Sequence, residues 1–318
     1  MNFHGKDIKI FACNSNKELA IGIARELGVP LGDSVMGMFS DGEISCSINE
    51  SVRGSDVFII QSTSAPVNRN LMELLIMTDA LKRASAASIT AVIPYYGYAR
   101  QDRKSKSRDP ISAKLTANLI TVAGADRILT MDLHCDQIQG FFDIPLDHLH
   151  GGSVLAPYFN QQFADRIDSL ICASPDAGST NRVRNFASRI GVDFVIIDKR
   201  RPKANVSEVM NIIGDVKGKT VLLVDDMVDT AGTLCHAAEA VMDKGGAKEV
   251  YACATHGVLS GPAVERLQAS PIKELVLLDT IALPEEKRID KIKVLGTHSV
   301  FAQAIDRIYT DRPVSSLY

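Results

Sequence analysis

Three carboxylates and a turn of small residues follow one predicted strand in the second half of the chain. The strand leads into Asp225 and Asp226, Asp229 comes three residues later, and residues 230–233 form a turn before a predicted helix at 234–244. The backbone N–H groups of such a turn, together with the helix dipole, can hold a phosphate. Carboxylates beside a strand end can accept hydrogen bonds from sugar hydroxyls or bind a metal. The combination indicates a phosphorylated sugar as ligand.

The alternative interpretation of this segment is an ordinary strand, turn and helix whose acids are solvated, because a short motif is a hypothesis until its structural context agrees. Three acids, two threonines and a glycine lie between an apolar strand pattern and an amphipathic helix pattern. That arrangement favours the binding site.

A second polar group follows the predicted strand at 127–131. Asp132 and His134 alternate onto one side of a segment that we expect to be extended, and Asp143 is available nearby. Mixed oxygen and imidazole ligands in a phosphate enzyme suit Mg²⁺, which keeps waters and takes one or two protein groups. Zinc would need a closed ligand set that this segment does not supply. A histidine with a purely structural role is the alternative.

Two basic segments complete the candidate chemistry. Residues 95–110 contain five basic side chains, among them Arg100 and Arg103, and residues 198–205 form a second basic loop that contains Lys199 and Arg201. Arginine and lysine could contact a triphosphate or offset charge on a transferred group. Solvated charge runs are the alternative for both, and on charge alone the two interpretations of the first segment are equally supported.

Length and composition limit the class of protein. The chain has 318 residues, 46% hydrophobic and 23% charged, with a formal net charge of −3. We expect two domains of about 150 residues each. The small net charge does not indicate nucleic acid or a membrane as a partner. Neither a signal segment nor a membrane span is expected. The six scattered cysteines argue against a disulfide framework and favour a reducing cytoplasm.

The elements that would position these residues alternate between strand and helix, as parallel α/β folds require. Strands are predicted at 8–12, 35–39, 44–48, 56–61, 88–94, 127–131, 169–173, 194–197, 220–224, 249–255 and 274–279, and helices at 17–27, 68–83, 111–122, 154–163, 183–190, 234–244, 263–269 and 300–309. Residues 40–43, with Asp41 and Gly42, carry hairpin-turn chemistry. Gly151 and Gly152 mark a domain boundary.

Taken in order, these segments resemble class I ribose-phosphate pyrophosphokinases over nearly the whole chain. The resemblance rests on FSDGE at 39–43, YARQD at 98–102, MDLH at 131–134, QIQGFFD at 137–143, SPD at 174–176, KRR at 199–201 and VDDMVDTAGT at 224–233.

The resemblance implies a role for each matching residue. It implies ATP contacts at Phe39, Asp41, Gly42, Glu43, Arg100 and Gln101, and metal contacts to Mg²⁺ at Asp132, His134, Asp143, Asp147 and Asp176. It implies ribose 5-phosphate contacts at Arg201, Asp225, Asp226, Asp229, Thr230, Ala231, Gly232 and Thr233, and catalytic roles for Lys199 and Arg201 on a flexible loop.

The implied reaction moves the β,γ-diphosphoryl group of ATP to the 1-hydroxyl of ribose 5-phosphate, giving phosphoribosyl pyrophosphate for nucleotide biosynthesis, and AMP. The implied fold is two type I phosphoribosyltransferase-like domains, each a mainly parallel sheet flanked by helices. Residues 1–150 would carry the nucleotide and Mg²⁺, and residues 151–318 the sugar-phosphate loop and the catalytic loop, with the last segment free to return to the first domain. The family also implies a homohexamer in the cytoplasm, with inorganic phosphate and ADP as effectors.

Two residues depart from the family pattern. Ala231 and Ser179 stand where the family often has glycine. Ala231 would still present its N–H unless the position needs positive φ. The rival interpretations are a phosphoribosyltransferase, which shares the 225–233 motif but would be shorter, and a catalytically silent regulatory subunit, which would have damaged catalytic positions.

Overall fold

The structure of the chain is a computed structural model that describes residues 2–3, 5–176, 178–200 and 209–317. These residues form two compact units. The first holds the described residues up to His150, together with Thr280–Ala282 and the described residues from Gly296 on. The second holds Gly151–Asp279 and, within the described residues, Leu283–Leu295.

The first unit is built on a six-stranded sheet, in the order β1-β2-β5-β6-β7-β8, with a separate two-stranded sheet of β3 and β4. Its described strands are β1 (Asn2–Phe3), β2 (Lys6–Ala12), β3 (Ser34–Met38), β4 (Ile44–Ile48), β5 (Asp56–Ile60), β6 (Ser88–Ile93), β7 (Arg127–Met131) and β8 (Leu146–Leu149). Neighbours from β2 to β8 pair in parallel, whereas β1 is antiparallel to β2. The central strands are continuous apolar runs, as expected where helices cover a parallel sheet.

The helices of the first unit are α1 (Lys17–Leu27), α2 (Val67–Arg83), α3 (Ser112–Ala123) and α8 (His298–Tyr309). The Asn16 side chain caps α1 by accepting from the Leu19 N–H at 3.2 Å, and Gly28 ends it in the left-handed region at φ 67°. Helix α8 lies against α1, and the Tyr309 hydroxyl donates to the Lys6 carbonyl at 2.7 Å. These contacts return the C-terminal segment to the first unit.

The second unit is built on a seven-stranded sheet in the order β11-β10-β9-β12-β13-β14-β15. Its elements are β9 (Leu170–Ser174), β10 (Phe194–Arg200), β11 (Val209–Ile213), β12 (Thr220–Val228), β13 (Glu249–Gly257), β14 (Ile272–Leu278), β15 (Ile292–Leu295), α4 (Gly152–Gln162), α5 (Thr180–Ile190), α6 (Gly232–Asp243) and α7 (Ala263–Ala269). Among the described strands of this sheet, β11 alone is antiparallel to its neighbour. The expected class, two α/β units with mainly parallel sheets flanked by helices, is confirmed.

The segment at 198–205 differs from its prediction. Residues 198–205 were expected to form a basic loop, but Asp198–Arg200 continue β10 and pair with β11, with Lys199 opposite Met210. Pairing with a returning strand overrides the local polar character of the segment. Residues 201–208 lie outside the described part of the chain. None of the described helices has the length and apolar character needed to span a membrane.

Candidate active site

The turn between β12 and α6 is the most distinctive backbone feature of the second unit. Ala231 lies at φ 59° and ψ 4°, in the left-handed region, and its carbonyl accepts from the Cys235 N–H at 2.9 Å to begin α6. Position 231 therefore adopts positive φ, the conformation in which alanine is less favourable than the glycine that the family often has here. The Ala231 side chain is buried in the core of the unit, and burial of its methyl group offsets part of the backbone strain.

The segment that follows β13 binds the carbonyl groups of this turn. The N–H groups of Leu259 and Ser260 donate to the carbonyls of Val228 and Asp229, each at 2.9 Å. The Arg266 guanidinium donates to the Thr230 carbonyl at 3.0 Å. In a trans peptide the N–H points opposite to the carbonyl. The N–H groups of residues 229–231 therefore point away from residues 259–266, in the arrangement of an anion-binding nest.

Three hydrogen bonds to carboxyl groups lie just after β9 and in the C-terminal half of β12. Ser179 Oγ donates to Asp225 Oδ1 at 3.0 Å, and the Asp226 N–H donates to the same oxygen at 2.9 Å. The Ser179 N–H donates to Asp176 Oδ1 at 3.0 Å. Burial raises the pKa of the Asp225 carboxyl well above its ordinary value, and the carboxylates of Asp226 and Asp176 raise it further. Such a cluster favours partners that bring hydroxyl donors or positive charge.

The first unit turns sharply after β7, which corrects one expectation. Asp132 lies at φ 39°, so the segment is not extended and Asp132 and His134 do not alternate along it. Asp132 is buried and His134 is exposed. Instead, potential ligand atoms of Asp132, His148 and His150 lie within 4.8 Å of one another.

This trio offers fewer metal donors than its composition indicates. His148 Nε2 accepts the Leu133 N–H at 2.9 Å, so in the neutral ring the proton is on Nδ1, which faces Asp136 Oδ1 at 3.8 Å. Neither His148 nitrogen then has a lone pair to give. His150 Nδ1 lies 3.4 Å from Asp132 Oδ1. Asp132 and His150 are thus the members able to ligate an ion.

The remaining expected metal ligands lie in other surroundings. Asp143 is exposed and lies 3.4 Å from Lys114 Nζ. Asp147, on β8, pairs with Arg127 Nη1 at 2.7 Å. Asp176 belongs to the second unit. Among the described residues of the first unit, the expected ligands do not form one cluster, and the set stays a prediction.

The expected nucleotide residues fall on two exposed turns of the first unit. Residues 39–43 close the β3–β4 hairpin, where the Phe39 N–H donates to the Glu43 carbonyl at 2.7 Å and the Glu43 N–H to Asp41 Oδ1 at 3.1 Å. Gly42 supplies the positive φ of 97°, and the Phe39 ring is 58% exposed. The hairpin prediction is confirmed, and the exposed ring is available to stack on a base.

The second turn precedes α3. The Gln101 carbonyl accepts from the Ala113 N–H at 3.2 Å, and the Gln101 side chain accepts from the Ser112 hydroxyl. Arg100 is exposed beside it. Of the expected catalytic residues, Lys199 lies on β10 with its side chain outside the description, and Arg201 lies outside the described residues.

Comparison with known families gives this geometry a context. Residues 8–124 match the family described as the N-terminal domain of ribose phosphate pyrophosphokinase. Residues 195–318 match the phosphoribosyl synthetase-associated domain. The chain is 65% identical to a ribose-phosphate pyrophosphokinase of Caldanaerobacter subterraneus over 311 residues, which cover 98% of each protein. The chain belongs to the ribose-phosphate pyrophosphokinase family.

Further members of the ribose-phosphate pyrophosphokinase family agree with this assignment. A Clostridium perfringens ribose-phosphate pyrophosphokinase is 63% identical over 319 residues, 100% of this chain and 99% of that protein. The crystal structure of phosphoribosylpyrophosphate synthetase from Mycobacterium smegmatis superposes with a TM-score of 0.91 at 44% identity, covering 96% of this chain and 100% of that one. The resemblance inferred from sequence is confirmed, together with its enzyme class and its fold class of two α/β units.

Some features of this family member were not identified from its sequence. Ser260 and Arg266 contact the turn at 229–233 from more than 30 residues away in the chain, and His148 accepts a hydrogen bond from the turn after β7. A Gly-Pro signal at 261–262 predicted α7 itself. Nothing local links that helix to the turn it contacts.

Proposed function

We propose that this chain transfers the β,γ-diphosphoryl group of ATP to the 1-hydroxyl of ribose 5-phosphate, yielding 5-phospho-α-D-ribose 1-diphosphate and AMP for nucleotide biosynthesis. The observation that carries the proposal is the turn at 229–233, whose carbonyls from Val228 to Thr230 are bound on one side and whose N–H groups face the other. Membership of the ribose-phosphate pyrophosphokinase family supports it.

On the sugar side, the N–H groups of residues 229–233 would seat the 5-phosphate at the N-terminus of α6. Asp225 and Asp226 would accept hydrogen bonds from ribose hydroxyls. A sugar hydroxyl is a suitable partner for a buried carboxyl because it donates without adding negative charge. Thr230 and Thr233 would add hydroxyl donors to the phosphate, in keeping with the sequence expectation.

On the nucleotide side, Phe39 would stack on adenine while Asp41, Gly42, Glu43, Arg100 and Gln101 contact ATP. Lys199 and Arg201 would neutralise charge that develops on the transferred group, since phosphoryl transfer depends on positioning and electrostatics. Alanine at either position should lower kcat by orders of magnitude with little change in nucleotide binding. Near-normal turnover in either variant would remove the proposed role.

Mg²⁺ is the cofactor that this donor set would hold. Mg²⁺ takes one or two protein carboxylates and completes its shell with water and substrate phosphates, and the Asp132 carboxylate beside His150 fits that preference. Asp132, His134, Asp143, Asp147 and Asp176 are the proposed contacts. When bound, the ion would offset the negative charge of the phosphate chain. Loss of turnover on chelation, restored by Mg²⁺ alone, is the expected result.

The product distinguishes this function from its rivals. Purified protein, ATP, ribose 5-phosphate and Mg²⁺ should give AMP and a phosphoribosyl pyrophosphate in equal amounts. ADP as the nucleotide product would indicate an ordinary kinase. A protein that makes neither product would fit the silent regulatory interpretation.

We also propose a homohexamer in the cytoplasm, activated by inorganic phosphate and inhibited by ADP, as the family resemblance implies. An exposed apolar stripe supports contact with a second copy; it is formed by Leu115, Leu119 and Val122 on α3 and by Ile111, the residue before the helix. Light scattering of the purified chain tests the hexamer, and Leu115→Lys should weaken it. Titration of activity with phosphate and ADP tests the effectors, and cell fractionation tests the location.

A further inference from the structure

Arg266 contacts the turn at 229–233 on the side of its carbonyl groups. Its Nη1 donates to the Thr230 carbonyl at 3.0 Å, so this carbonyl oxygen is directed toward α7. Leu259 and Ser260 bind the two preceding carbonyls through their backbone N–H groups. Arg266 is therefore the one side chain among these three contacts, and the one that a substitution can remove.

Gly232 provides the space for this contact. A Cβ at position 232 would lie 3.3 Å from Arg266 Nη1, closer than ordinary van der Waals contact. Gly232 does not have a positive φ, so its backbone conformation does not require glycine. We attribute the glycine to the close approach of the guanidinium.

We propose that Arg266 is a positioning residue for the sugar-phosphate site, which rests on the proposed function of the turn at 229–233. Its guanidinium holds the Thr230 carbonyl on the α7 side. The Ala231 N–H, in the same peptide unit, is thereby held on the side of the bound phosphate. Without this contact the peptide between Thr230 and Ala231 can rotate and present a carbonyl oxygen to the anion, which repels it.

The test compares four variants by steady-state kinetics and by calorimetric titration with ribose 5-phosphate alone. Arg266→Ala should raise KM for ribose 5-phosphate and weaken its binding by about tenfold, the effect of one charge-assisted hydrogen bond. KM for ATP should stay within about twofold. Arg266→Lys keeps a cationic donor and should recover most of the loss. Gly232→Ala should raise KM for ribose 5-phosphate less than Arg266→Ala does, because a Cβ 3.3 Å from Nη1 requires the guanidinium to shift by only a few tenths of an ångström.

The matched control is Arg288→Ala. Arg288 is an exposed arginine of the same unit, whose Nη1 lies 3.0 Å from Glu285 Oε2. The Arg288→Ala variant should have the kinetic constants of the wild-type protein. Arg266→Ala with the kinetics of this control would overturn the proposal. The proposal would also be overturned if Arg266→Ala raised KM for ATP and KM for ribose 5-phosphate equally and lowered the melting temperature. Failure of Arg266→Lys to recover sugar binding would overturn it as well.

The wild-type protein separates the two proposals. If it binds ribose 5-phosphate but releases no AMP, the proposed reaction is wrong, whereas the binding comparison still decides the role of Arg266. If the wild-type protein does not bind ribose 5-phosphate, both proposals are wrong.

Discussion

The Ser179 hydroxyl donates a hydrogen bond to Asp225 Oδ1 over 3.0 Å. The Asp226 N–H donates to the same oxygen at 2.9 Å, so two donors orient this carboxyl group. Ser179 has φ −85° and ψ 3°, a conformation that serine adopts without strain. Serine at a position where the family often has glycine thus adds a contact to the candidate sugar site at no backbone cost.

Ser179→Ala should raise KM for ribose 5-phosphate about fivefold, because one neutral hydrogen bond that orients Asp225 is lost. KM for ATP should not change. Ser169→Ala is the control, since the Ser169 hydroxyl donates to the Arg166 carbonyl at 2.8 Å away from the site. Equal kinetics of the two variants would show that the hydroxyl at 179 does not act on the sugar.

Ala231→Gly and Ala231→Val should differ in their effect on the free energy of unfolding. Glycine removes the cost of the left-handed conformation, about 1–2 kcal/mol. It also adds conformational entropy to the unfolded chain and removes a buried methyl group, which together cost about 1.5 kcal/mol. The free energy of unfolding should therefore change by less than about 1 kcal/mol. A β-branched valine at φ 59° should lose more than about 2 kcal/mol. Urea unfolding measures both, and an equally small loss for valine would contradict the assigned conformation.

The Asp225 carboxyl should make stability depend on pH. Its pKa is raised in the folded chain, first by burial and then by Asp226 and Asp176. The folded state therefore binds the proton more tightly than the unfolded state, and this contribution to stability is lost as pH rises above the ordinary carboxyl pKa, about 4. Asp225→Asn cannot ionise, so its advantage over wild type should grow from pH 4 to pH 8 in EDTA.

The free energy of unfolding in urea, measured at each pH, checks this prediction. Asp215→Asn is the control, because Asp215 is an exposed aspartate of the same unit. Its difference from wild type should not follow the same trend. An Asp225→Asn advantage that shrinks with rising pH would contradict the raised pKa.

Lys291 caps the C-terminus of α7 with its ammonium group. Its Nζ donates to the carbonyls of Leu267 at 3.1 Å, Gln268 at 3.0 Å and Ser270 at 2.7 Å. Lys291→Met should lower the free energy of unfolding by about 2 kcal/mol, since charged donors at a helix C-terminus are lost. Lys273→Met removes an exposed pair with Glu249 and should cost less than about 1 kcal/mol. Equal losses would show that the cap adds no stability.

The sequence predicts most elements of this fold because their apolar patterns are local. Helices Lys17–Leu27 and Ala263–Ala269 and strand Arg127–Met131 have the predicted bounds. Strands Leu146–Leu149 and Ile292–Leu295 were missed because they are short and interrupted by charged residues. Their pairing depends on neighbouring strands that a local pattern does not contain.

The candidate site also has features that the sequence predicts and features that it does not. The turn at 229–233 was identified because its acids, threonines and glycine are consecutive in sequence. Its left-handed Ala231 and the support from Arg266 were not, since a backbone angle and a contact over 36 residues leave no local signal. The segment from Asp132 was predicted to be extended because it follows a predicted strand, and no local pattern indicates the positive φ of Asp132.

The most direct test of the account is a crystal structure of the protein grown with ribose 5-phosphate. We expect the 5-phosphate to accept hydrogen bonds from the N–H groups of residues 229–233, with the ribose hydroxyls on Asp225 and Asp226. An empty turn, with the sugar phosphate bound elsewhere at saturating concentration, would contradict the central claim.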